Sequence, residues 1–84
     1  MQIQILYFGR PSEQLKLAQE TVSLPAEVKT LGELLAWLRV RGDVWAQELT
    51  EVRIKGAINQ EFSALNAPIK DGDEIALFSP ISGG

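Results

Sequence analysis

Thr30-Leu31-Gly32-Glu33-Leu34-Leu35-Ala36-Trp37-Leu38-Arg39-Val40-Arg41-Gly42 reads as one helix over about residues 31–41. Thr30 is a good N-cap, because its hydroxyl can accept a bond from an N–H that the first turn leaves without a partner. Glu33 stands three positions later, which is the spacing of a capping box. Leu31, Leu34, Leu35 and Leu38 recur at i, i+3, i+4 and i+7, so they form one apolar stripe. Arg39 and Arg41 fall in the last turn, where cations favour the helix dipole, and Gly42 serves as the stop. Such a stripe needs an apolar surface to cover it, and the flanking segments supply one.

On the N-terminal side, Ile3-Gln4-Ile5-Leu6-Tyr7-Phe8 reads as a strand. Ile3, Ile5 and Tyr7 share one face. Gln2, Gln4, Leu6 and Phe8 share the other, which starts polar and ends apolar, as a sticky patch on an outer surface does. Gly9-Arg10-Pro11-Ser12 breaks this strand, and residues 13–19 are a short helix or a loop. Glu20-Thr21-Val22-Ser23-Leu24-Pro25 is a second strand ending at Pro25, which cannot continue a ladder.

On the C-terminal side, Val44 to Leu49 is a short helical turn carrying Trp45. Trp37 and Trp45 are read as core or edge packing, the usual role of large aromatics. Val52-Arg53-Ile54-Lys55 and Ala57-Ile58 make a third strand interrupted at Gly56, and Asn59-Gln60-Glu61 is a turn. Phe62 begins a short irregular segment, Asp71-Gly72 is a strong turn signal, and Glu74-Ile75-Ala76-Leu77-Phe78 is the last strand. In that strand Ile75 and Leu77 face one way, and Glu74, Ala76 and Phe78 the other. The predicted fold is α+β: a ubiquitin-like β-grasp over residues 1–78, with a mixed sheet packed on one main helix, followed by a flexible tail over residues 79–84.

Composition narrows the chemistry. The chain has 84 residues and no Cys, which excludes a disulfide framework, a zinc-thiolate site and a thiol nucleophile. It has no His, so the usual base near neutral pH is missing. Any reactive group is expected outside the side chains, and the chain is not expected to be catalytic itself. A net charge of −3 argues against wrapping nucleic acid or lying on anionic lipid. No apolar run approaches the roughly 20 residues of a membrane span, and the first residues lack the pattern of a signal peptide, so a cytoplasmic location is expected. Asp71, Asp73 and Glu74 belong to the turn and a solvated strand entry; no further ligands or loop spacing point to a metal.

The last residues are Ser79-Pro80-Ile81-Ser82-Gly83-Gly84. Six extended residues reach at most about 20 Å. Two terminal glycines can enter a channel too narrow for any Cβ, although a terminus of this kind can also simply fray.

Ala57-Ile58-Asn59-Gln60 followed by Pro68-Ile69-Lys70-Asp71-Gly72-Asp73-Glu74, an apolar strand, Pro80 and the terminal Gly83-Gly84 resembles the small-subunit family of molybdopterin synthase. Ile5-Leu6-Tyr7-Phe8 resembles the family's first strand, while residues 9–50 match in pattern more than in letters. Ser79 departs from it, standing where many members carry a first proline.

The resemblance implies a sulfur carrier. A ubiquitin-activating-type adenylyltransferase uses ATP and Mg to adenylate the carboxylate of Gly84, and a persulfide donor replaces AMP with sulfur. The resulting thiocarboxylate enters the large synthase subunit, in a heterotetramer, and builds the dithiolene of molybdopterin from cyclic pyranopterin monophosphate. On this view the chain holds no cofactor or metal, and Gly83 gives the tail slimness. The matching apolar surface takes in Phe8, Phe62 and Phe78, with Pro80 and Ile81 on the approach to the terminus. From the residues alone, Phe8 and Phe78 fit partner contact, since exposed apolar patches mark partner sites, and Phe62 remains open between partner contact and core. A thiamine-type sulfur carrier, a ubiquitin-like tag and a plain interaction module are the alternatives. The helical section through Trp45 and the Pro80-Ile81-Ser82 approach favour the molybdopterin branch.

Overall fold

Leu31, Leu34, Leu35 and Leu38 are all buried on one side of a helix, and the surface they cover is one face of a five-stranded sheet. The computed structural model describes residues 1–80. In chain order the elements are β1 (Gln2–Phe8), α1 (Arg10–Leu15), β2 (Gln19–Ser23), α2 (Leu31–Arg39), α3 (Asp43–Glu48), β3 (Lys55–Ile58), β4 (Glu61–Ser63) and β5 (Glu74–Phe78). The sheet runs β2-β1-β5-β3-β4, with β1 and β5 parallel and every other pair antiparallel. This mixed sheet over one main helix bears out the predicted α+β class.

Alternation in β1 and β5 sends Ile3, Ile5, Tyr7, Ile75 and Leu77 into the core with the α2 leucines. Val22, Leu24, Val28, Leu49, Ile54 and Ile69 close its sides. Gly56 belongs to the same face: a Cβ there would stand 2.7 Å from a methyl of Leu31, so the helix packs where β3 has no side chain. The capping box forms as predicted. Thr30 Oγ1 accepts from the Glu33 N–H at 3.2 Å, and the Glu33 carboxylate accepts from the Thr30 N–H at 3.1 Å.

Four local expectations are corrected. Gly9-Arg10-Pro11-Ser12 does end β1, but the helix that follows starts at Arg10 rather than at residue 13, because a proline in the first helical turn loses no hydrogen bond that the helix needs. Gly42 does not stop α2. That helix ends at Arg39 with Val40 as its cap, and the Gly42 carbonyl instead accepts from the Ala46 N–H at 2.9 Å to start α3. Val52 and Arg53 are not strand: the Thr50 carbonyl accepts from the N–H groups of Arg53 and Ile54 at 3.1 and 3.0 Å, and β3 runs without interruption through Gly56. Phe62 lies in a real strand, β4, joined to β3 by Asn59 and Gln60 at φ 50° and 72°, the left-handed pair that a tight hairpin uses.

At one edge of the core, Tyr7 donates to Glu20 Oε2 at 2.6 Å, and the same oxygen accepts from Arg41 at 2.7 Å. The Arg41 guanidinium lies 4.6 Å from the Trp45 ring centre and 5.5 Å from that of Trp37. The two indoles therefore pack at the core edge and hold a cation between them. Among the described residues, no helix is long and apolar enough to cross a membrane.

Candidate functional site

The face of the sheet turned away from α2 carries the site. Strand register lays its side chains out in rows. Phe8 is level with Phe78, and Phe78 with Lys55. The next row runs Leu6, Ala76, Ala57, Phe62. All seven alternate with core residues or their pairing partners, so they share the outer face.

The Phe62 and Phe78 rings meet edge to face, 5.7 Å apart at 65°. Phe62 is 84% exposed and Phe8 50%, so neither belongs to the core. Ala57 is 7% exposed yet stands outside the core cluster; it is a small residue shielded among larger neighbours on the outer face. The result is a band of apolar surface crossing four strands, with its aromatic rings near the end of β5. Pro80 is exposed two residues beyond Phe78. Ile81, Gly83 and Gly84 lie outside the described residues. Sequence reasoning placed Leu6 and Ala76 on the correct face without giving them a role. It missed Ala57 and Lys55, whose signal is the same alternation once β3 is known to run through Gly56.

The opposite end of β5 is a tied turn. Gly72 takes φ 87°, which explains the glycine there. Asp71 Oδ1 accepts from the Gln2 N–H at 2.7 Å. Asp73 accepts from the Lys70 N–H at 2.7 Å and from Asn59 Nδ2 at 2.9 Å, and Asn59 Oδ1 accepts from the Glu74 N–H at 3.0 Å. The Asp-Gly-Asp-Glu run thus pins β5 to the start of β1 and the β3–β4 hairpin, which sets the register that brings Phe8 beside Phe78.

The end of the sheet from which Ser79 leads off is held differently. Glu48, 4% exposed, accepts both oxygens' worth of bonds from Arg10 at 3.0 and 3.2 Å and lies 3.5 Å from Arg53. A carboxylate so far from water needs such partners. The bridge ties the start of α1, just past Phe8, to the end of α3 and the approach to Lys55.

Comparisons with known proteins agree with this geometry. The ThiS family model matches residues 5–84. The chain is 34% identical to the human molybdopterin synthase sulfur carrier subunit, over 99% of this chain and 94% of that one. It is 32% identical to the Haemophilus influenzae protein of the same name, over 98% and 99%. Among solved structures, SAMP1 of Haloferax volcanii superposes with a TM-score of 0.71 at 30% identity over 100% of both chains. A chain from the complex of subunits 1 and 2 of the Helicobacter pylori molybdopterin-converting factor gives 0.66 at 27%, again over 100% of both. By the family match and by these relatives, the chain belongs to the ThiS family, alongside the molybdopterin synthase sulfur carrier subunits.

Proposed function

We propose that this chain is the sulfur-carrying small subunit of a cytoplasmic molybdopterin synthase. The observation that carries the proposal is the joining of two features in one place. An aromatic face, Phe8, Phe62 and Phe78, stands at the strand end from which residues 79–84, Ser-Pro-Ile-Ser-Gly-Gly, continue. The face is the handle and the terminal carboxylate is the working group. An adenylyltransferase joins that carboxylate of Gly84 to AMP, releasing pyrophosphate from ATP. The outer sulfur of a donor persulfide attacks that adenylate and displaces AMP, forming an acyl disulfide; a second thiol then attacks the donor's sulfur, which becomes a disulfide and releases the thiocarboxylate. Nucleotide and Mg belong to that partner, and the phosphate-binding and proton-moving groups of the later step belong to the large synthase subunit. Ile81 and Pro80 line the approach, and Gly83 keeps it thin.

The test is reconstitution with the large subunit, the adenylyltransferase and a persulfide donor. The intact protein gains the mass difference between sulfur and oxygen, and molybdopterin forms. Deletion of Gly84 leaves the fold intact and abolishes product; full activity of the truncated chain overturns the proposal. The likeness to SAMP1, a small archaeal modifier protein by name, favours a second reading in which Gly84 is joined to target lysines. Gly-Gly remnants on many lysines of a host extract, with no sulfur-bearing form, select that reading.

A further inference from the structure

The two ends of the sheet carry opposite charge. At the turn end stand Asp71, Asp73 and Glu74, with Glu61 on the neighbouring hairpin and Lys70 among them. At the tail end stand Arg10, Arg53 and Lys55 against one buried carboxylate, Glu48. Glu48 satisfies one charge of the two guanidinium groups it binds and leaves the other in surplus. Both arginines keep about half of their side-chain surface in solvent. Lys55 is exposed, shares a cross-strand row with Phe8 and Phe78, and among the described residues forms no ion pair. Glu13, one turn along α1 from Arg10, makes no ion pair with the group either. In a chain of net charge −3, this is a local reversal of sign at the one place where the tail begins.

We infer that Arg10, Arg53 and Lys55 form a basic collar that meets an acidic rim around the mouth of the tail-receiving channel on the large subunit. The inference rests on the sulfur-carrier proposal and adds to it the chemistry of the contact. The collar is continuous with the aromatic band, so a protein that covers the band also covers Lys55. Its cations border the aromatic band, so they face the protein surface that covers that band. Exposed cations of this kind contribute to affinity through the association rate, and salt screens that contribution away. Their effect is on encounter, because complementary charge raises the rate of productive collision and sets orientation. The apolar band then governs how long the complex lasts.

The experiment is stopped-flow association of the chain with the purified large subunit, at about 50 mM and about 300 mM salt, which shortens the screening length about 2.4-fold. Lys55→Glu tests the collar without touching the Glu48 bridge, and Arg53→Gln is the second variant. The expected result is an association rate that falls with salt in the wild type. Lys55→Glu lowers it about tenfold or more at low salt and flattens the salt dependence, while the dissociation rate changes little. Phe78→Ala shows the converse, a faster dissociation with an association rate near that of the wild type. An association rate indifferent to both salt and Lys55→Glu overturns the collar and leaves the sulfur-carrier proposal standing. Failure of the wild-type chain to bind the large subunit at all overturns that proposal and the collar with it.

Discussion

Tyr7 shows how one side chain can serve the core and the edge together. Its ring is buried beside the sheet, and its hydroxyl reaches Glu20, which also holds Arg41. Burial, and then the hydrogen bond and negative charge of Glu20, push the phenol's pKa well above its ordinary value, with Arg41 opposing. Below pH about 10 the phenol is protonated both folded and unfolded, so its contribution is complete; above that, unfolding releases its proton and stability falls as pH rises. Tyr7→Phe should cost roughly 1.5–3 kcal/mol at neutral pH, the usual worth of a hydrogen bond to a charged group, and the variant should lose less stability above pH 10. Denaturant titrations at neutral and alkaline pH check both parts. Phe78 is the contrasting case. Its ring lies on the outer face against Phe62, so Phe78→Ala should weaken binding to the large subunit more than it lowers the denaturation midpoint. A large stability loss with unchanged affinity would assign the ring to the core instead.

Among the elements, α2 was legible because every local signal agreed: the Thr30–Glu33 box, the leucine stripe and the arginine in its last turn all pointed to one helix. Leu35 is 1% exposed, and Leu35→Ala should destabilise by roughly 2–5 kcal/mol in chemical denaturation. The elements that sequence misread are those whose local pattern lacked a tertiary partner. The three residues of β4 carry a single large apolar side chain, and it points to solvent, so no alternation marks them. Val52 and Ile54 alternate like a strand, yet Val52 is 92% exposed and the Thr50 turn holds the segment. Pro11 hid α1 because proline signals a break everywhere except in a first turn. The aromatic face needed a further step. Alternation put Phe8 and Phe78 on the same side, and a β-grasp makes the first and last strands neighbours, so their closeness was legible; the parallel β1–β5 register, held by the tied Asp-Gly-Asp-Glu turn, sets them level.

For the whole molecule, the decisive arrangement is that the first strand pairs with the last, and the last occupies the centre of the sheet. A chain ending at Lys70 should therefore lack the central ladder and remain unfolded by circular dichroism, whereas the chain lacking only Gly84 should melt like the wild type. Cooperative retention of structure in the shorter piece would show that β5 is dispensable. During synthesis, the ribosome must release the C-terminal strand before the sheet can close, since the middle ladder is translated after the outer ones. Helix α2 can form and flicker early, but it has no finished surface to rest on until β5 is in place. The recognition surface therefore comes into being only once β5 has joined the sheet. A nascent or shortened chain that lacks β5 presents no assembled aromatic face, so the order in which the sheet is built withholds that face until the central strand is in place.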